Sequence, residues 1–135
     1  MTAATRAIAL LRADPSLVGR VLRLAEPTTP AGEVTTPAAL AAIVEPLLAG
    51  RENEALVVVA LDGRGKPIEA AILTTGHDAA TIVDVRQVLR WVLTRASPAR
   101  SFAMAHNHPT NRPTPSCEDL EVTRRVKAAA EVVGL

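Results

Sequence analysis

The stretch ALVVVALD, residues 55 to 62, limits the fold more than any other part of the chain. It is an unbroken apolar run of strand length, rich in β-branched residues, and it needs cover on both faces. GRGKP at 63–67 then reads as a turn, and IEAAILTT at 68–75 as a second strand. The two runs are predicted to pair as an antiparallel hairpin. A chain of 135 residues suits one domain, burying roughly two-thirds of its unfolded surface. With only Trp91 and Phe102 as aromatics, alanine and valine must fill that core.

Helical patterns flank the hairpin. Residues 3–24 carry apolar positions at helical spacing, interrupted by ADPS at 13–16, and EPTTPAGEVTTP at 26–37 reads as a linker. TPAALAAIVEPLLAG offers Thr36 as N-cap, Pro37 as first helical residue and Gly50 as the stop, with Pro46 in the last turn. TIVDVRQVLRWVLTRA, 81–96, places Val85, Val88, Leu89, Val92 and Leu93 on one stripe. RSFAMAHNH is a third strand. The tail from Cys117 is helical, with Leu120, Val122, Val126 and Ala130 expected inward. The division this suggests is an N-terminal helical segment and linker over 1–50, followed by an α/β domain over 51–135.

The charge balance excludes some functions. Fifteen basic and fourteen acidic side chains give a formal net charge of +1, with no long run of one sign. That argues against nucleic acid and against a membrane surface as partners. The scarcity of aromatics argues against a base-stacking platform. Cys117 is the only cysteine, so an internal disulfide framework and an all-cysteine zinc site are ruled out. The start MTAATRAIALLRADPS resembles neither a secretion signal nor a spanning helix, and a cytoplasmic location is the expectation.

Chemistry concentrates in AHNHPTNRPTPSCED, residues 105–119. On a strand, His106 and His108 project from one face, about 7 Å apart along the chain, which suits two imidazoles meeting one metal. Ser116 is placed as N-cap of the following helix and Asp119 in its first turn, where the helix dipole favours an ionised carboxylate. Two histidines and a carboxylate with one open position form the ligand set of a catalytic zinc site. Ser-x-x-Asp is also the ordinary capping-box signature, found in helices that bind nothing, and both roles are compatible in one hydroxyl. A base is also needed, and Glu52, Glu54 and Glu69 are the candidates near a strand end. From the residues alone, Glu54 is as simply a solvated charge at the start of a strand. Cys117 at the helix start is a minor candidate as ligand or nucleophile. His77 reads as a solvated loop residue, and Arg124, Arg125 and Lys127 as the wet face of the last helix.

The spacing His-x-His, ten residues to Asp119, and Ser116 three before that acid resembles the signature of JAB/MPN/JAMM zinc metalloproteases. AMAHNHPTNRPTPSCEDLEVTRRVKAA is similar, more narrowly, to the bacterial RadC family. Glu54 stands eight residues before Asp62, as the family's glutamate stands before the aspartate ending its first strand. The segment from Gly76 through Arg86 resembles the start of the family's helix. The resemblance covers roughly 50–135. It implies an α/β fold of JAB/MPN (cytidine-deaminase-like) type, a mixed sheet flanked by helices. It implies zinc held by His106, His108 and Asp119, Glu54 as general base, and Ser116 as oxyanion donor.

The implied activity is hydrolysis of a peptide or isopeptide-like amide by metal-activated water, with a peptide or protein as substrate. The alternative is a non-catalytic or DNA-repair-associated module with structural zinc. A third reading is a metal-free scaffold acting through protein contacts. Three departures stand out. Thr110-Asn111 replaces the family's Ser-Gly, and asparagine tolerates the left-handed backbone such a loop needs. Family members continue with further strands beyond the point matching Leu135, so C-terminal strands are expected to be missing or completed by a second copy. Residues 1–50 do not resemble the helix-hairpin-helix segment often found ahead of this domain.

Overall fold

The structure is a computed structural model, and it describes residues 21–22, 32–75, 83–94 and 99–135. The elements are β1 (Val21–Leu22), α1 (Pro37–Leu48), β2 (Ala55–Leu61), β3 (Pro67–Thr75), α2 (Val85–Thr94), β4 (Ser101–His106) and α3 (Cys117–Val132). The strands form one sheet in the order β1-β3-β2-β4. Every pairing among the described residues is antiparallel, where the resemblance implies a mixed sheet.

The apolar run dictates the layering. All seven residues of β2 are buried, which demands cover on both sides. Val57, Val59 and Leu61 face Val44 and Leu47 of α1. Leu56, Val58 and Ala60 face Val88, Trp91 and Val92 of α2 and Val126 of α3. The result is a helix–sheet–helix sandwich whose middle strand never meets water. α1 begins as read, with Thr36 Oγ1 accepting the Ala39 N–H at 3.2 Å and Pro37 opening the helix.

The hairpin turn is fixed by Asp62, whose Oδ1 accepts the N–H groups of Arg64 at 2.7 Å and Lys66 at 2.9 Å. Those backbone bonds hold its carboxyl below the ordinary range. Gly65 takes φ +75°, a left-handed conformation that a side chain would strain.

Three expectations are corrected. Val21–Leu22, inside the segment read as helical, is a strand paired to β3, because that edge offers main-chain groups a short extended segment can satisfy. The rest of 1–31 lies outside the described residues, as do Gly76 and His77. On α2 the buried residues of the last turn are Trp91 and Val92, whereas Leu93 is 48% exposed. Leu93 follows Val92 by one position, about 100° round the helix, which turns it off the face meeting the sheet. Leu120 is 59% exposed, because α3 meets the core only from Val122 onward and its first turn projects past the sheet.

Candidate metal centre

The antiparallel register of β2 and β4 builds the site. Leu56 stands opposite His106. Glu54, two residues before Leu56, is therefore brought beside His108, two residues after His106. Asn107 locks this arrangement from the other face of the strand. Its Oδ1 accepts the Ala55 N–H at 2.8 Å and its Nδ2 donates to the Asn53 carbonyl at 3.1 Å. Ala55 is wholly buried, so its N–H depends on such an acceptor. Asn107→Ala is accordingly expected to weaken binding of any divalent metal at His106 and His108 by roughly tenfold to a hundredfold, the usual loss for an outer supporting residue. Competition against a chelating dye measures it, and unchanged affinity would show that the histidines need no such clamp.

The imidazoles converge. The Nε2 atoms of His106 and His108 lie 2.7 Å apart. Nδ1 of His108 is 2.6 Å from the Arg112 carbonyl. A carbonyl cannot donate, so Nδ1 carries a proton and Nε2 is the ring atom turned toward the centre. The turn that places the Arg112 carbonyl passes through Asn111, at φ +55°, whose N–H also bonds the His108 carbonyl at 2.9 Å. Asn111 thus adopts the left-handed backbone that asparagine tolerates better than most residues.

Asp119 closes the cluster from α3. Its Oδ1 is 3.3 Å from Nε2 of His106, and its Oδ2 is 3.3 Å from Nε2 of His108. Oδ2 also accepts the Ser116 N–H at 2.7 Å, while Ser116 Oγ accepts the Asp119 N–H at 3.1 Å. The capping box anticipated from Ser-x-x-Asp is thus present, and it aims the carboxylate. Burial pushes this carboxyl upward, but hydrogen bonds from Ser116 and the two imidazoles outweigh it and leave it below its ordinary range.

Glu54, His106 and His108 each offer a ligand atom, and these atoms lie within 4.8 Å of one another. Asp119, Glu52 and Cys117 are not in that group; Asp119 instead meets the two imidazoles from α3, and Cys117 is exposed at the first residue of that helix. Glu69 is buried in the body of β3.

The donor set fits a small divalent cation. For metal–ligand bonds of about 2.0–2.1 Å, tetrahedral ligands sit roughly 3.3 Å apart. Each Asp119-to-histidine separation has that length, but through different oxygens, Oδ1 toward His106 and Oδ2 toward His108, so a bound ion must draw one oxygen toward both rings. The 2.7 Å between the imidazoles is instead a hydrogen-bonded separation, so a bound ion must spread the rings slightly. The nitrogen and carboxylate chemistry is that of zinc and its neighbours in the transition series. Asn107 and the Arg112 carbonyl are the parts of the site that sequence reading did not assign, whereas the left-handed backbone expected at Asn111 is present.

Residues 34–135 match the RadC-like JAB domain family. A UPF0758 protein of Rubrobacter xylanophilus is 36% identical over 102 residues, covering 76% of this chain and 44% of that protein. A second, from Symbiobacterium thermophilum, is 32% identical over 103 residues, covering 76% and 43%. A third, from Syntrophotalea carbinolica, is 30% identical over 109 residues, covering 81% and 47%. The matched segments span less than half the length of these relatives. The match begins at residue 34, ahead of α1, so the helix packed under the sheet belongs to the matched segment. Among the described residues, no helix is long and apolar enough to cross a membrane.

Proposed function

The chain belongs to the RadC-like JAB domain family, and from that premise we propose that it hydrolyses a peptide or isopeptide-like amide bond with a zinc ion held by His106, His108 and Asp119. The observation that carries this reading is the convergence of two imidazole nitrogens and a carboxylate, with a separate acid, Glu54, beside them. Zinc bound there would supply Lewis acidity toward water and toward the amide carbonyl.

The chain's own residues supply the rest. The Arg112 carbonyl keeps His108 in the tautomer whose Nε2 faces the centre. Glu54 takes a proton from the attacking water and returns it to the leaving nitrogen as the new C–O bond forms and the C–N bond breaks. Ser116 Oγ, which accepts the Asp119 N–H, keeps a proton it can donate to the oxyanion. The cytoplasm suits a chain whose only cysteine is free.

A second reading rests on the closeness of Glu54. Its oxygen lies near enough to both imidazoles to be a ligand itself. Four protein donors would close the coordination shell and make zinc structural. The test of the primary reading is protein purified without chelator, analysed for metal and screened against fluorogenic peptides and isopeptides. One zinc per chain is expected, with cleavage that stops on zinc removal and returns on its restoration. Protein that stays zinc-free after loading would overturn the assignment.

A further inference from the structure

A cavity of about 310 Å³ opens directly beside the candidate metal donors. Its mouth is formed by Glu54, His106 and Asp119, and its walls by Leu56, Val83, Met104 and Val122. The strand alternation explains this. Glu54 and Leu56 lie on one face of β2, and Met104 and His106 on the same face of β4, so each polar group at the mouth stands one step above an apolar one. α3 supplies the opposite wall, with Asp119 above Val122 at helical spacing.

The cavity is not a packing fault of the core. Val58 and Val126, which share a core cluster with the lining residue Leu56, are almost wholly buried. Val83, Met104 and Val122 pack against that core yet remain only half-buried. Three apolar side chains thus form a wall facing open space rather than each other.

From these features we infer that the cavity binds one neutral apolar side chain, of leucine or methionine size, from a peptide residue flanking the scissile amide. The inference rests on the amidase reading for its substrate class. Charge selects the occupant. The lining carries the carboxylates of Glu54, Glu118 and Asp119 and, among the described residues, no lysine or arginine, so an acidic side chain is repelled. The apolar Leu56 and Met104 wall offers a cationic end no hydrogen-bond acceptor, so a charged group stays at the carboxylates while an uncharged one fills the cavity. The volume lies at the bottom of the range of about 300–1,000 Å³ for ligand cavities, which suits one side chain and its adjoining backbone.

The test is direct binding, not turnover. The zinc-loaded chain is titrated with N-acetyl-leucinamide, N-acetyl-methioninamide, N-acetyl-alaninamide and the α-amide of N-acetyl-glutamate, following the methyl resonances of Met104, Val83 and Val122. Leucinamide and methioninamide should shift these resonances saturably, binding about tenfold or more tighter than alaninamide, as extra methylenes in an apolar pocket do. The glutamate amide should leave them unmoved. Val122→Phe, which projects bulk into the cavity from its half-buried wall, should abolish the shifts. Equal responses to all four amides, or none to any, would overturn the inference, as would undiminished binding by a folded Val122→Phe chain. Should that variant not fold, the four wild-type titrations decide alone. Because the readout is binding, absence of hydrolysis leaves this result standing, and absence of these shifts leaves the amidase reading standing.

Discussion

Asp119→Asn is expected to lower zinc affinity by at least about a hundredfold, beyond the usual loss for an outer supporting residue, while hardly moving the melting temperature of the metal-free chain. The carboxylate has two separable tasks. It caps α3 by accepting the Ser116 N–H, and it turns both oxygens toward the imidazoles. An asparagine Oδ1 keeps the first task, whose loss on truncation to alanine costs about 1 kcal/mol. It loses the negative charge that the second needs. Asp119→Ala, by contrast, should damage both affinity and stability. Isothermal titration with zinc, paired with thermal unfolding of the metal-free variants, separates the two effects. Equal zinc affinity in wild type and Asp119→Asn would remove Asp119 from the ligand set and leave it a helix cap.

The contrast between tasks also explains what could be read from the chain. A strand buried on both faces leaves an unbroken apolar run, so β2, its turn and β3 were legible from residues 55–75 alone. His106 and His108 were legible because a two-residue repeat puts side chains on one face, and Asp119 because a capping pattern fixes its place in the first turn of a helix. Asn107 was not. Its bonds reach residues 52 and 54 positions away, and only strand register decides that they form. Likewise, an exposed loop gives no sign that its carbonyl will fix an imidazole tautomer, although the choice of asparagine at 111 hinted at the left-handed turn. Leu120 and Leu93 looked inward because helical periodicity gives the angle of a residue but not where the helix leaves its support. Val21–Leu22 defeated periodicity altogether, since a two-residue strand is chosen by the edge it joins.

Glu54→Gln is expected to reduce amide hydrolysis by roughly a hundredfold to ten-thousandfold, the contribution of a positioned general base, and to leave zinc binding nearly intact. The substitution keeps the size of the side chain and its place beside His108, which Asn107 enforces through the main chain on either side of residue 54. What it removes is the capacity to accept a full proton. The two readings of the centre part here. If Glu54 is the base, zinc content stays at one per chain and kcat falls with little change in KM, because the lost interaction belongs to the transition state. If Glu54 is the fourth ligand of a closed structural site, as its closeness to both imidazoles allows, zinc affinity falls together with thermal stability in zinc, and wild type hydrolyses nothing. Measuring metal content, stability and turnover on the same preparation decides between them, because no single reading predicts loss of zinc and retention of activity.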